Sequence, residues 1–170
     1  RGTALTMRLW RSLFFIAWSV WLLDLGTKLW AEQVLSSRAN VEVIGTFLQL
    51  TFIRNPGAAF GIGAGMTIIF TIFAVLVFIF ITRYATQITS RGWAVVSGLV
   101  LGGVLGNLTD RIFREPGFLQ GHVIDWIQLP RWPVFNVADS AIVIAAVIAI
   151  ILTIRNIAPI TPGVKPKDES

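Results

Sequence analysis

Four apolar stretches, each long enough to cross a lipid bilayer, constrain this chain more than any other feature of its sequence. A crossing helix needs about 20 residues and tolerates roughly 17–25. The stretches cover residues 12–30, 66–82, 92–109 and 135–154. Only 14% of the 170 residues are charged, whereas soluble domains carry about 25%. The sequence therefore predicts a mainly α-helical integral membrane protein with four transmembrane helices, folded as one domain over residues 1–170.

The two ends of the chain are predicted to differ from its apolar body. The first stretch has no small-residue cleavage site and is followed by three more, so we interpret it as a retained helix. Proline, lysine and acidic residues are frequent in the tail, and we expect residues 1–8 and 158–170 to be flexible. Met7 is interpreted as the native start, with residues 1–6 as a non-native extension.

The charges beside the apolar stretches predict an orientation in the membrane. Four crossings place both termini on one side, together with eight of the Lys and Arg residues, and six lie on the other side. Lys and Arg are enriched on the cytoplasmic side of membrane proteins. We therefore expect cytoplasmic termini and outward-facing acidic loops.

The two outward segments differ in character. Residues 41–53 alternate in polarity and are rich in β-branched and aromatic side chains, which predicts one or two short strands at the membrane surface. Residues 110–133 mix charges with tryptophans, a composition typical of the headgroup region. We interpret this second segment as a connecting loop that carries Asp125.

Two aspartates, Asp125 and Asp139, lie at the edge of or inside segments otherwise suited to lipid. Asp139 is the only charge in residues 135–154. A carboxylate near hydrocarbon costs roughly 2.5–3.5 kcal/mol on insertion scales, so its presence indicates a function. If two carboxylates lie close together, repulsion leaves a proton on one while the other acts as a base towards water. The pair therefore predicts acid/base hydrolysis of the kind that aspartic proteases perform.

Further polar residues fall at the outward ends of the predicted helices, and we expect them to converge at one depth. Asn136 lies three positions before Asp139, on the same side of a helical turn. The others are Asp24, Lys28, Asn107, Asp110 and Arg111. A purely structural interpretation stays open, with Asp110 and Arg111 as an ion pair at the rim and the asparagines holding helices together.

Other chemistries have less support. The chain has no cysteine and one histidine, which excludes thiolate and multi-histidine metal sites. No spacing supports a hard-metal site built from Asp110, His122 and the two aspartates. A Ser140–Lys28 dyad is disfavoured because Ser140 points about 100° away from its neighbour Asp139 on a helix.

The glycines and the net charge also have ordinary explanations. Four glycines lack the Lys-Ser/Thr of a phosphate loop and predict close helix packing instead; they are Gly98, Gly102, Gly103 and Gly106. The net charge of +5 is scattered among apolar stretches, which predicts a membrane surface and no nucleic acid as its partner.

Five sequence blocks together resemble those of the bacterial lipoprotein signal peptidases, the signal peptidase II family. The blocks are residues 24–28, 55–60, 102–111, 123–126 and 135–140. They stand in the family's order, and the first departs from its pattern at Leu25, where Gln is usual. The resemblance implies an intramembrane aspartyl endopeptidase with four transmembrane helices and a small extracytoplasmic β-cradle. Such an enzyme removes signal peptides from diacylglyceryl-modified prolipoproteins by cutting before the lipidated cysteine.

The resemblance also implies roles for single residues. Asp125 and Asp139 would be catalytic, and Asp24 and Lys28 would support the site. The residues that would bind substrate are Asn55, Gly57, Asn107, Arg111 and Asn136. We expect Arg111 to bind a loop or substrate carbonyl, because a guanidinium cannot act as an acid or base.

The implied setting is a monomer in the bacterial inner membrane with its active site near the outer face. Its partners would be prolipoprotein substrates and membrane lipids, with no metal, organic cofactor or nucleic acid. An alternative function is a small transporter or proton relay that uses Asp24, Asp125 and Asp139. The acids cluster at one face and the sequence contains no repeat, and both features favour the enzyme.

Overall fold

The fold is built on four long helices. The computed structural model describes residues 2–57 and 66–161, with side chains from residue 8 onward. The helices are α1 (Gly2–Leu35), α2 (Met66–Tyr84), α3 (Arg91–Phe113) and α4 (Val137–Ile154). All four are long and apolar enough to cross a membrane, so the predicted four transmembrane helices are confirmed. Residues 58–60 of the second sequence block, and the predicted flexible tail from residue 162, lie outside the described residues.

A three-stranded antiparallel sheet lies at one end of the helices. Its strands, in the order β1-β2-β3, are β1 (Val41–Ile44), β2 (Leu48–Asn55) and β3 (Val123–Gln128). The first two confirm the strands predicted for residues 41–53. The third corrects the prediction that Asp125 lies in a loop, because Asp125 pairs with Ile53 of β2. Its β-branched and aromatic neighbours favour an extended conformation. The strand was not predicted because the charge of Asp125 interrupts this run of apolar residues.

Glycines on α3 allow its neighbours to approach closely. A Cβ at Gly102 would lie 2.7 Å from the carbonyl oxygen of Ala17 and 2.6 Å from Val20 Cβ, both on α1. A Cβ at Gly103 would lie 2.7 Å from Ile142 of α4. Small residues at these positions let helix backbones meet where lipid supplies no hydrophobic driving force. The glycine spacing therefore predicted the packing correctly, and α3 is the central helix of the bundle.

Parts of both chain ends have described structure, and the flexibility of residues 1–8 and 158–170 stays a prediction. Residues 2–8 belong to α1, which begins at Gly2. Beyond α4, Trp93 Nε1 donates a hydrogen bond to the Ile157 carbonyl at 2.7 Å, and Thr161 N donates to Thr89 Oγ1 at 2.8 Å. These bonds hold the start of the tail against the first turn of α3 and the segment before it. The end of α4 and the beginning of α3 therefore lie together.

Substitution of Gly102 tests this packing. We expect Gly102→Ala to lower the free energy of unfolding by about 1–3 kcal/mol, because its methyl group meets the α1 backbone. Gly26→Ala is the matched control, since a Cβ at Gly26 meets nothing within 4 Å and alanine favours a helix. Thermal unfolding in detergent compares the two variants. Equal stability of the two would contradict the close approach of α1 and α3.

Candidate active site

Asn136 connects the two aspartates singled out by the sequence. It is the N-cap of α4, where its Oδ1 accepts a hydrogen bond from Asp139 N at 2.9 Å. Asp139 Oδ2 in turn accepts from Asn136 N at 3.2 Å, which completes a capping box. The Nδ2 group of Asn136 donates to Asp125 Oδ1 at 2.8 Å. One fully buried side chain therefore links Asp125 on β3 to Asp139 on α4.

Two further asparagines donate hydrogen bonds to the remaining carboxylate oxygens of Asp125 and Asp139. Asn107 of α3 donates from Nδ2 to Asp139 Oδ1 at 2.8 Å. Asn55, at the end of β2, donates from Nδ2 to Asp125 Oδ2 at 2.9 Å. Both oxygens of each aspartate thus accept an N–H, so the orientation of both carboxyl groups is fixed. The predicted convergence of polar residues at one depth is confirmed.

Burial changes the acidity of Asp125, which is 3% exposed. Desolvation raises its pKa to about 7, and the neighbouring charge of Asp139 acts in the same direction. Hydrogen bonds from Asn55 and Asn136 and the charge of Lys28 oppose this rise. A buried carboxyl favours its neutral form because a charge is poorly solvated there. Near neutral pH, Asp125 can therefore both hold and release a proton.

Two clefts give access to the carboxylates. Asp125 lines one of about 280 Å³ together with residues 53–56 of β2 and the following turn, and with Pro133 and Val134. Asp139 lines another of about 270 Å³, with Trp132, Phe135 and apolar residues of α4. Residues 133 and 134 line the first cleft, and residues 132 and 135 line the second. The site therefore offers space lined mostly by apolar side chains at each carboxylate, suited to a segment leaving the bilayer.

Lys28 links α1 to α3 through an ion pair and a hydrogen bond. Its Nζ lies 2.6 Å from Asp24 Oδ2 and 2.8 Å from Asp110 Oδ2, and it donates to Asn107 Oδ1 at 3.1 Å. Lys28 and Asp24 are both 0% exposed. Because a buried charge is costly without partners, these contacts explain how α1 tolerates Asp24 and Lys28.

Arg111 does not form the ion pair with Asp110 that the structural interpretation proposed. Asp110 binds Arg114 instead, at 2.6 Å from Nε to Oδ1; residues four apart share a helix face, whereas adjacent ones do not. Arg111 donates from Nη1 to the Gly121 carbonyl at 3.4 Å, as expected for a group that binds a loop carbonyl. Its guanidinium also lies over the ring of Phe70, 5.9 Å from the centroid.

Gly57 occupies a tight turn beside Arg111. Its φ is +102°, a region that side chains disfavour. Its N–H donates to Asn55 Oδ1 at 2.8 Å, which orients the Asn55 amide so that Nδ2 faces Asp125. A Cβ at this position would lie 3.1 Å from Phe70 and 3.8 Å from Arg111 Nη2. The turn therefore requires glycine and helps to hold Asn55.

The rival arrangements do not form among the described residues. Ser140 Oγ donates to the Asn136 carbonyl at 3.0 Å, and the ammonium of Lys28 contacts Asp24, Asp110 and Asn107. No Ser–Lys dyad is therefore present. Within residues 2–57 and 66–161, no three acidic or histidine side chains are grouped as metal ligands.

Sequence reasoning missed three charged residues that brace the site from outside. Glu32 of α1 binds Arg114 at 2.7 Å and Arg54 of β2 at 2.7 Å. Together they tie the sheet to α1 and α3. The spacing of Asp110 and Arg114 was a usable signal. Nothing local in the sequence indicates that Glu32 bridges two arginines.

The raised pKa of Asp125 predicts how stability depends on pH. A carboxyl whose pKa is about 7 in the folded chain and ordinarily 3.8 stabilises the fold at low pH. That contribution, at most on the order of 4 kcal/mol, is lost between about pH 4 and pH 7. We expect Asp125→Asn, which cannot ionise, to abolish this part of the decline. Thermal unfolding of both proteins across this range measures it, and identical slopes would contradict the assignment.

Comparisons with known proteins agree in pointing to one family. The family model described as signal peptidase (SPase) II matches residues 16–155. A lipoprotein signal peptidase of Streptomyces coelicolor is 48% identical over 147 residues, which cover 86% of this chain and 72% of that protein. One of Leifsonia xyli subsp. xyli is 48% identical over 155 residues, covering 91% and 71%.

A solved structure shares the fold. It is described as a bacterial membrane enzyme and superposes with a TM-score of 0.74 at 30% sequence identity. The match covers 85% of this chain and 93% of that one. The four helices and the sheet are therefore an arrangement that a known membrane enzyme also has.

Proposed function

The chain belongs to the signal peptidase II family, and from this premise we propose that Asp125 and Asp139 are the catalytic pair with which it removes signal peptides from prolipoproteins. As a member of this family it is an aspartic endopeptidase and a multi-pass membrane protein. The observation that carries the proposal is the hydrogen bonding of both aspartates to one buried asparagine, Asn136.

The two aspartates take different roles in the proposed reaction. Asp139, in its ionised form, removes a proton from a water molecule, whose oxygen attacks the scissile carbonyl carbon. Asp125 holds a proton near neutral pH because of its burial, and it donates this proton to the carbonyl oxygen as the tetrahedral intermediate forms. The intermediate then returns that proton to Asp125, the C–N bond breaks, and Asp139 protonates the leaving amine.

Five other residues are proposed to position substrate or the carboxylates. Asn107 and Asn136 fix the carboxyl groups through their N–H donors. Asn55 lines the cleft beside Asp125, and Gly57, just after the end of β2, lies next to Arg111 of α3. Main-chain groups of an extended substrate are the natural partners for such polar side chains.

The proposed substrate is a prolipoprotein carrying a diacylglyceryl-modified cysteine, cut just before that cysteine. The mostly apolar clefts beside each carboxylate suit a lipid-linked segment. We further propose that the termini are cytoplasmic, that the site faces the outer leaflet, and that a monomer surrounded by lipid is active. The excess of Lys and Arg at the terminal side supports this orientation.

A transporter or proton relay is not favoured. Asp24 is fully buried and ion-paired with Lys28, so it is committed to a structural contact. The remaining two aspartates lie together at one end of the helices, whereas transport sites of this kind lie near the bilayer midplane.

Neutralising either aspartate tests the proposal. We expect Asp125→Asn and Asp139→Asn each to reduce cleavage of a diacylglyceryl-modified prolipoprotein by about 10⁴-fold or more, since neither asparagine can carry a proton between groups. Glu115→Gln, which neutralises an exposed acid between α3 and β3, is the control and should cleave normally. The shortened product is followed by gel shift. Retention of more than about a tenth of the activity by either aspartate variant would exclude the catalytic pair.

Gly57 is proposed to shape the binding cleft rather than the chemistry. We expect Gly57→Val to raise KM more than it lowers kcat, because its side chain strains a turn with φ +102° and displaces Phe70. Steady-state kinetics separate the two effects. An unchanged KM in a folded Gly57→Val variant would show that this turn does not contact substrate.

A further inference from the structure

The ammonium group of Lys28 is bound by three side chains of the protein. An ammonium group has three N–H donors and no acceptor. Nζ donates a hydrogen bond to Asn107 Oδ1 of α3 and forms ion pairs with Asp24, four residues earlier on α1, and with Asp110 on α3. Lys28 is 0% exposed, so no water competes for these contacts.

Each partner of Lys28 also forms a hydrogen bond at, or one residue before, a proposed catalytic aspartate. Asp24 Oδ1 accepts from the backbone N of Ala138, the residue before Asp139, at 2.9 Å. Asp110 Oδ2 accepts from the backbone N of Ile124, the residue before Asp125, at 3.2 Å. Asn107 donates directly to Asp139. Lys28 is therefore linked to the proposed catalytic pair through three side chains, those of Asp24, Asp110 and Asn107.

We infer that Lys28 is a positioning residue, whose ammonium group fixes the Asn107 amide in the orientation that presents an N–H to Asp139. This inference rests on the proposed function of Asp125 and Asp139. It assigns to Lys28 a defined action on the reacting groups, beyond holding α1 against α3.

The orientation of the Asn107 amide follows from its neighbours. Oδ1 of Asn107 accepts from Lys28 Nζ at 3.1 Å and from Asn136 Nδ2 at 3.1 Å. A rotated amide would direct its NH₂ at two donors and its oxygen at the carboxylate of Asp139. Donor would face donor and acceptor would face acceptor, so the positive charge of Lys28 excludes that state. Without Lys28, rotation is opposed only by the neutral donor of Asn136 and by the carboxylate of Asp139.

Stability alone does not require the lysine. Exchanging a buried ion pair for neutral side chains of similar size is often neutral or stabilising, whereas removing one partner leaves an unpaired buried charge. Lys28 and Asp24 can both be replaced by neutral residues, which removes one positive and one negative charge. Asp110 then still has Arg114 as its ion-pair partner. A charge-balanced exchange therefore separates positioning from folding.

The experiment uses the full chain carrying Asp24→Asn and Lys28→Met. The carbonyl oxygen of an asparagine at position 24 can still accept from Ala138 N, so α4 keeps its contact, but Asn107 loses its charged donor. We expect thermal unfolding close to that of the unsubstituted protein, kcat lower by about tenfold to a hundredfold and KM nearly unchanged. The pH profile of kcat should also change, because one carboxyl group has lost a fixed N–H donor.

A second variant isolates the amide without removing the lysine. Asn107→Asp keeps the size of the side chain and an acceptor for Lys28, and it replaces the N–H donated to Asp139 by an oxygen. The same signature is expected, with lower kcat, an altered pH profile and little change in KM. A folded Asn107→Asp variant, or a folded Asp24→Asn/Lys28→Met variant, that keeps full kcat and the original pH profile would overturn the inference.

Further variants, assayed in parallel, distinguish a wrong role for Lys28 from a wrong assignment of the catalytic pair. Asp125→Asn and Asp139→Asn are assayed on the same prolipoprotein, with Glu115→Gln as the control for loss of a charge. If the aspartate variants are inactive while either Asp24→Asn/Lys28→Met or Asn107→Asp keeps full kcat and the original pH profile, the role of Lys28 alone is wrong. If the aspartate variants remain active, the catalytic pair is wrong and the inference falls with it.

Discussion

A buried ammonium group needs protein atoms to replace the hydrogen bonds and the solvation that water would give it. The close packing of α1 and α3 meets this requirement. Lys28 is fully enclosed and has acceptors on its own helix and on α3. These contacts form only if α1 and α3 approach closely. Gly106 permits the approach, since a Cβ there would collide with the carboxylate of Asp24. The glycine face of α3 and the buried charges of α1 are therefore parts of one arrangement.

The same enclosure determines the chemistry that the site can perform. Asp125 is buried beside a second carboxylate, and its pKa of about 7 follows mainly from the loss of water. The surrounding asparagines donate N–H groups to both carboxylates without adding charge. A cation in direct contact would favour the ionised forms and remove the shared proton. In the network, Asn107 lies between Lys28 and Asp139 and binds both.

The sheet extends this arrangement beyond the helices. β2 and β3 pair so that Asn55 lies opposite Val123, two residues from Asp125. Asn55 can therefore reach the carboxylate from a neighbouring strand. Glu32 holds β2 through Arg54 and α3 through Arg114, so the strand that carries Asn55 is tied to the helices that carry Lys28 and Asn107. The three-stranded sheet is thereby held against the helices as one wall of the cleft beside Asp125.

The sequence predicted features that depend on local composition and spacing. Long apolar stretches identified the helices, and the spacing of Asn136 and Asp139 predicted a shared face at the start of α4. The strand that carries Asp125 was missed because its charge interrupts an otherwise apolar run, and only pairing with β2 reveals it. The partners of Asp110 were also missed. Lys28 reaches it from another helix, a contact that tertiary packing alone determines.

The central claim is that Asp125 holds a proton near neutral pH in a site that it shares with Asp139. Infrared difference spectra of the protein in detergent, recorded while the pH is raised through about 7, measure this directly through the C=O stretch of a protonated carboxyl. The account predicts a band that disappears as the pH rises, that is absent in Asp125→Asn and that persists in Asp139→Asn. A spectrum without such a band, or one unaffected by Asp125→Asn, would contradict the account.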